Sequence, residues 1–212
     1  MTGAPRPLRK DAERNRQRIL DAAAEIFAAR GLDVTLDDIA AHAGVGVGTV
    51  YRRFTDKDEL IDAVFEKHLD QVAALASEAL EGPDAWEGLT TYLERSLRMQ
   101  LEDRGFTEIL YGRSGRRLDL ARERLPPLTE AVVDRARRQG AVREDLERTD
   151  LVFIQLALAA VIEATRRASP ELYRRYLAMI LDGLRPSRES PSTLPVAALT
   201  GAQTHAVMTR DT

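Results

Sequence analysis

Two short apolar-faced segments separated by a glycine turn constrain this chain more than any other feature of its sequence. Thr35 stands three residues before Asp38, which is the capping-box pattern and predicts a helix over 36–43. Gly44 ends that helix, and only two residues later a second short segment begins that covers 47–54. Two short helices joined by so tight a turn predict a helix-turn-helix.

The sequence on both sides of this motif is typical of helices. Before it, apolar residues recur at positions 19, 22, 23, 26 and 27, which places them on one face of a first helix starting near Lys10 or Asp11. No run of alternating β-branched residues indicates a strand anywhere in the chain. After the motif we expect helices at 57–81, 84–103, 118–124, 127–139, 150–167 and 170–185, with a helical turn at 106–111 and a break or kink at Pro126-Pro127.

These patterns predict an all-α fold of two parts and a tail. We expect residues 1–56 to form an N-terminal three-helix DNA-binding domain with a helix-turn-helix and a basic arm. The arm is predicted because residues 1–18 contain six basic and two acidic residues, and Arg6, Arg9 and Lys10 are among the basic ones. We expect residues 57–185 to form a larger C-terminal helical domain, and the family resemblance described below implies that it binds a ligand and dimerises. Residues 186–212 are dominated by Pro, Ser, Thr and Gly without periodicity and are expected to be disordered.

Composition narrows the class of protein further. The chain has no cysteine, which excludes disulfides and thiolate metal sites and suits a reducing cytoplasm. Its N-terminus lacks the apolar core of a signal peptide, and its longest apolar run is too short to span a bilayer. We therefore expect a cytoplasmic protein with no membrane partner, no metal site and no cofactor.

The segment from Thr35 to Lys57, TLDDIAAHAGVGVGTVYRRFTDK, resembles the DNA-binding domain of the TetR family of transcriptional regulators. The resemblance runs from Arg16 to about Leu60 and includes ILDAAAEIFAARG in the first helix. The rest of the chain resembles the family only in length and helical layout. The family implies a dimeric repressor that binds a near-palindromic operator in double-stranded DNA and is released by a small-molecule effector.

The resemblance also implies roles for seven residues of the motif. In a helix-turn-helix the second helix of the motif enters the major groove, where base edges are distinguishable. Thr35, Tyr51 and Lys57 would mainly contact phosphates. Val47, Gly48, Thr49 and Arg52 would then face the bases, with Val47 suited to a thymine methyl group. Gly46 departs from the family, many of whose members have a serine there that caps the helix and touches the DNA backbone.

Structural explanations compete with each of these assignments. A helix-turn-helix can be only a corner in a fold, and Tyr51 can be only a packing residue. The basic arm can be a solvated tail or can enter the minor groove. Arg53 can serve a phosphate or a neighbouring carboxylate.

The C-terminal domain offers candidates for a ligand pocket and a dimer interface. The helix at 150–167 is apolar nearly all round, so we expect it to pair with the helix at 170–185 and their symmetry mates in a four-helix bundle. Most aromatic and large apolar residues there belong to an ordinary core. The candidates for contact with a mostly apolar small molecule are Phe65, His68, Trp86, Leu89, Tyr92, Leu93, Phe106, Tyr111 and Phe153.

Two other functions compete with that of a ligand-responsive repressor. A constitutive DNA-binding regulator would have the same helix-turn-helix and a packed C-terminal interior. An enzyme is disfavoured, because the sequence contains no glycine-rich phosphate loop, no Gly-x-Ser-x-Gly elbow and no His-Glu-x-x-His metal helix.

Overall fold

The computed structural model describes residues 6–111, 116–186 and 200–202, and within these ranges every regular element is helical. The all-α prediction is confirmed. None of the helices in the described ranges is long and apolar enough to cross a membrane. Most of the predicted tail, 187–199 and 203–212, lies outside the described residues.

Nine α-helices and one short 3₁₀ helix make up the described chain, and the predicted helix ends agree with them to within a few residues except as noted below. The 3₁₀ helix is Pro170–Leu172. The α-helices are α1 (Arg6–Arg30), α2 (Leu36–Ala43), α3 (Val47–Tyr51), α4 (Lys57–Glu81), α5 (Ala85–Glu102), α6 (Arg104–Tyr111), α7 (Arg116–Arg138), α8 (Arg148–Thr165) and α9 (Tyr173–Leu184).

Two predicted boundaries were wrong. Pro126 and Pro127 do not separate two helices but lie inside α7, which runs continuously through both. Each proline fixes a φ angle that a helix accepts, and Val132, Val133 and Ala136 of the same helix are buried, so packing outweighs the lost backbone hydrogen bonds. The prediction for α3 was too long: the helix ends at Tyr51, and turns closed on the Val50 carbonyl continue to Phe54.

The described chain forms two compact units whose boundary cuts across the order of the sequence. Unit 1 comprises Met1–His68 together with Asp103–Glu108, and unit 2 comprises Leu69–Glu102 and Ile109–Thr212. The first residues of α6 therefore belong to the same unit as the helix-turn-helix, although they follow His68, the end of the first segment of unit 1, by 35 or more residues. Helices α4 and α6 each contribute to both units.

Close backbone packing holds this part of α6 in unit 1. A Cβ atom on Gly105 would lie 2.9 Å from Cβ and 3.1 Å from the carbonyl oxygen of Phe27, so α6 meets α1 at a distance that only glycine accommodates. One turn later, Glu108 accepts a hydrogen bond of 2.7 Å from the Leu32 backbone N–H, which follows the left-handed Gly31 at the end of α1. Phe27 is almost completely buried in this contact.

Unit 2 has an aliphatic core built on a row of leucines spaced four apart in α5. Leu89, Leu93 and Leu97 are fully buried, and residues of α7 and α8 complete the core. Arg135 of α7 donates hydrogen bonds to the carbonyls of Ala79 and Gly82, which satisfies acceptors left free at the end of α4.

Two helical glycines of unit 2 give a direct test of this packing. A Cβ on Gly88 would lie 2.5 Å from the Ala79 carbonyl oxygen, whereas one on Gly183 would meet nothing within 4 Å. We expect Gly88→Ala to lower the free energy of unfolding by about 1–3 kcal/mol because backbone must shift. Gly183→Ala should raise it by about 0.5–1 kcal/mol, because alanine loses less entropy in a helix. Urea denaturation measures both, and equal effects of the two substitutions would contradict the close approach of α4 and α5.

Candidate nucleic-acid interface

The start of α2 is fixed by the predicted capping box. The Thr35 hydroxyl accepts a hydrogen bond of 3.1 Å from the Asp38 backbone N–H and donates one of 2.7 Å to Asp38 Oδ2, which also accepts the Thr35 backbone N–H at 2.9 Å. The Thr35 hydroxyl, then its backbone N–H, and more weakly Arg30 hold the pKa of the Asp38 carboxyl below its ordinary value. The hydroxyl proton of Thr35 is thus already engaged, and a bound phosphate would have to share it.

The turn between α2 and α3 has the geometry that its glycines predicted. Gly44 has φ +63° in the left-handed region, and its N–H donates to the Ala41 carbonyl. Arg18 of α1 donates a hydrogen bond of 2.9 Å to the Ala43 carbonyl and so caps the end of α2 from outside. Gly46 stands at the N-cap of α3, where no side-chain hydrogen bond caps the helix.

Three of the five residues of α3 are exposed. Val50 is completely buried and anchors the helix, while Val47 is 40% and Tyr51 57% exposed. A Cβ atom on Gly48 would meet no heavy atom within 4 Å, so the backbone there is open to close approach by another molecule. Because α3 exposes a valine, a tyrosine and unobstructed backbone, its surface is suited to binding another molecule.

Polar and basic groups surround this exposed face. Thr49 is half-buried, and its hydroxyl accepts a hydrogen bond of 3.1 Å from the exposed Arg52 guanidinium, which is thereby held beside the helix. Arg53 is also exposed. Lys57 is half-buried at the first residue of α4.

The connection from α3 to α4 is rigid and capped. Phe54 is buried, with the Arg16 guanidinium 5.5 Å from its ring centroid. Asp56 Oδ1 accepts the Glu59 N–H at 2.8 Å and Glu59 Oε2 accepts the Thr55 N–H at 2.6 Å, so side chains cap the start of α4. The two ends of α3 are therefore fixed by its connections to α2 and α4.

The candidate ligand residues are distributed over both units. In unit 1, Phe106 stacks on His68 with ring centroids 5.0 Å apart and lies 5.9 Å from Phe65. The side chain of Tyr111 lies outside the described residues. In unit 2, Leu89, Tyr92 and Leu93 are buried, Phe153 is half-buried, and the half-buried Trp86 lies under the Arg185 guanidinium at 3.7 Å.

Sequence reasoning missed the buried polar residues that the structure brings together. Ser96 and Gln100 follow Tyr92 at successive i+4 positions on the buried face of α5, and Thr129 of α7 lies opposite. Asp103 is buried where α6 begins. The sequence signal was available: polar residues spaced four apart within a leucine-rich helix face indicate a polar stripe in a core.

Two protein-family models match the chain. The model described as "Bacterial regulatory proteins, tetR family" matches residues 19–64, which cover the helix-turn-helix and the start of α4. The model described as "Transcriptional regulator SbtR-like, C-terminal domain" matches residues 84–186.

Individual transcriptional regulators are also similar to this chain, over different shares of its length. An HTH-type transcriptional regulator of Staphylococcus aureus is 42% identical over 64 residues, which is 30% of this chain and 35% of that protein's length. The crystal structure of a TetR transcription regulatory protein from Mycobacterium vanbaalenii is 34% identical, covering 84% of this chain and 99% of that one with a TM-score of 0.57. The regulator SCO0520 of Streptomyces coelicolor is 28% identical, covering 82% and 99% of the two chains with a TM-score of 0.62.

Proposed function

The chain belongs to the TetR family of DNA-binding transcriptional regulators, and from this premise we propose that it is a dimeric repressor released from its operator by a small-molecule ligand. We assign DNA reading to the predicted domain 1–56, supported by the other residues of unit 1, and sensing and dimerisation to the part of 57–185 that lies in unit 2. The exposed surface of α3, held between capped neighbours, carries the proposal.

In the proposed complex α3 enters the major groove. The exposed Val47 and the bare backbone at Gly48 allow close contact with base edges, and Thr49 and Arg52 add polar groups beside them. An arginine can make two hydrogen bonds to a guanine, which discriminates that base by about 1–3 kcal/mol.

Phosphate contacts fall to residues around α3. Tyr51 points from the last turn of the helix with more than half of its surface free, and Lys57 stands at the start of α4. For Thr35 we propose a contact through the free backbone N–H groups of the first turn of α2, because its hydroxyl already serves Asp38. Phosphate contacts position the protein on DNA without reading sequence.

Substitutions in α3 should separate base reading from phosphate binding. We expect Arg52→Ala to relax the preference at one base position, costing about 1–3 kcal/mol on the preferred operator. Tyr51→Ala should weaken binding to good and poor operators by similar factors. Fluorescence anisotropy on a footprinted operator and its single-base variants measures both, with the exposed Arg98→Ala of α5 as the control. Unchanged affinity in both α3 variants would show that the recognition helix is misassigned.

The proposed dimer rests on an apolar surface of α8 and α9. Ala157, Ala160 and Ala164 are exposed along one side of α8. On α9, Tyr176 is 40% and Met179 55% exposed. A second copy of the chain would cover this surface in a two-fold four-helix bundle, because small residues on α8 allow close approach of a symmetry-related helix.

The choice of residue matters for testing the dimer. Leu177 and Leu181 are buried within the single chain, so charged residues there would damage the fold itself. We expect Met179→Asp to give a folded monomer that binds the operator more weakly, and Met179→Leu to remain dimeric. Light scattering at micromolar concentration reports the mass and circular dichroism reports the fold. A monomeric wild-type protein would contradict the arrangement.

The proposed ligand would meet the polar stripe of α5 inside unit 2. The Tyr92 hydroxyl lies 3.2 Å from that of Thr129, and burial raises the pKa of Tyr92, which keeps it neutral. The Ser96 hydroxyl is buried one turn further along α5, and its hydrogen bond with Tyr92 offsets part of the effect of burial on the pKa of Tyr92. A hydroxyl group both donates and accepts hydrogen bonds, so these buried hydroxyls can also bind a ligand carbonyl or hydroxyl. We therefore propose a mostly apolar ligand with an uncharged polar group.

Ser96→Ala distinguishes a ligand contact from a defect in packing. A screen of hydrophobic metabolites for thermal stabilisation should find a ligand that weakens operator binding about 5- to 150-fold. We expect Ser96→Ala to reduce this response while lowering the free energy of unfolding by only about 0.5–1.5 kcal/mol, the contribution of one neutral hydrogen bond. The exposed Ser77→Ala, whose hydroxyl bonds the Ala73 carbonyl, should leave the response unchanged. If Ser96→Ala changes only the stability and no compound changes operator affinity, the regulator is constitutive.

A further inference from the structure

A buried histidine joins α4 to the start of α6 within unit 1. His68 Nε2 lies 2.7 Å from Asp103 Oδ2, and His68 Nδ1 lies 3.0 Å from the Val64 carbonyl oxygen. The imidazole stacks on Phe106 with an interplanar angle of 19°. Only 14% of the His68 side chain and 11% of the Asp103 side chain are exposed.

These contacts determine where the protons lie. A carboxylate oxygen and a backbone carbonyl oxygen are both acceptors, so each hydrogen bond requires an N–H on the ring. Both bonds therefore exist together only in the imidazolium form. Loss of one proton leaves a nitrogen lone pair facing either the Val64 carbonyl or the Asp103 carboxylate.

Asp103 gives this pair a consequence for α6. Its Oδ1 accepts a hydrogen bond of 2.8 Å from the Phe106 backbone N–H, and its carbonyl accepts the Thr107 N–H, so Asp103 caps the N-terminus of α6. One oxygen of the carboxylate thus holds α6 and the other holds His68. The position of the first turn of α6 is tied to the charge of a side chain on α4.

The charged groups that act on the His68 imidazole are Asp103 and Lys67. Burial is the largest influence on the pKa of His68 and lowers it, as does Lys67. The hydrogen bond to Asp103, the charge of Asp103 and the Val64 carbonyl act in the opposite direction and outweigh them, so the pKa lies above its ordinary value of 6.5. Arg104 and Glu108 of α6 are occupied with each other at 3.0 Å.

We propose that His68 and Asp103 form a proton-dependent clasp that fixes the first turn of α6 in unit 1, and that loss of the His68 proton weakens operator binding. Because the folded protein binds this proton more tightly than the unfolded chain, the clasp is complete below pH 6.5. It is lost as the pH rises through the higher pKa of the folded state. The readout on DNA rests on the proposed function, whereas the clasp itself does not.

The first experiment follows the imidazole without DNA. Nitrogen-detected NMR titration of the full chain should show both nitrogens of His68 protonated at the acidic end of the titration and a midpoint above 6.5. Asp103→Asn keeps a good N-cap residue but removes the charge, so it should leave the fold intact and move the His68 midpoint below 6.5, where burial alone would place it.

The second experiment measures affinity for the footprinted operator duplex at constant ionic strength from about pH 6 to pH 9. Wild-type affinity should fall roughly fivefold or more across this range. His68→Gln should flatten the profile. His42→Gln should keep the wild-type slope, because His42 makes a similar 2.8 Å pair with Glu25 at an exposed position.

Each of the two experiments has an outcome that would refute either the clasp or its regulatory role. A His68 midpoint at or below 6.5 in the wild-type protein would refute the clasp. A pH slope that survives in His68→Gln, or a wild-type affinity that does not change with pH, would refute its control of DNA binding. If the protein binds no operator, the proposed function fails, and the imidazole titration still decides whether the clasp exists.

Discussion

The packing of the first turn of α6 on the end of α1 is the contact on which the rest of the molecule depends. Gly105 lets the two backbones meet at Phe27, and Glu108 closes the contact by accepting the Leu32 N–H. These residues follow α5 in the sequence but fold with the helix-turn-helix. Because residues 103–108 lie between two segments of unit 2, the chain passes between its units three times: within α4, between α5 and α6, and within α6.

Local signals in the sequence were sufficient to predict the helices of the helix-turn-helix, although not the end of α3. The capping box at Thr35, the left-handed Gly44 and the buried face of α1 are each encoded within a few residues. The roles of the α3 side chains on DNA came from family resemblance and remain proposals, because no local pattern encodes a contact with a partner.

Features that depend on distant residues could not be predicted in this way. Glu108 meets Leu32 across 76 residues, and no periodicity indicates that pairing. Proline in α7 gave a misleading local signal, because burial of the following valines decides the outcome. His68 was a candidate ligand residue on account of its chemistry, and the structure instead gives it a partner in Asp103. Its contact with a ligand remains a prediction, but its two hydrogen bonds already account for both ring nitrogens.

The central claim is that residues 103–108 are part of the DNA-binding unit. Native-state hydrogen exchange in increasing urea tests it, because amides that open together have the same free energy of opening. The account predicts that the Phe106 and Thr107 amides open with those of Gly31 and Leu32 at the end of α1. If Phe106 and Thr107 open instead with the Leu93 amide of α5, or exchange at once like a loop, the first turn of α6 is not part of that unit and the account is wrong.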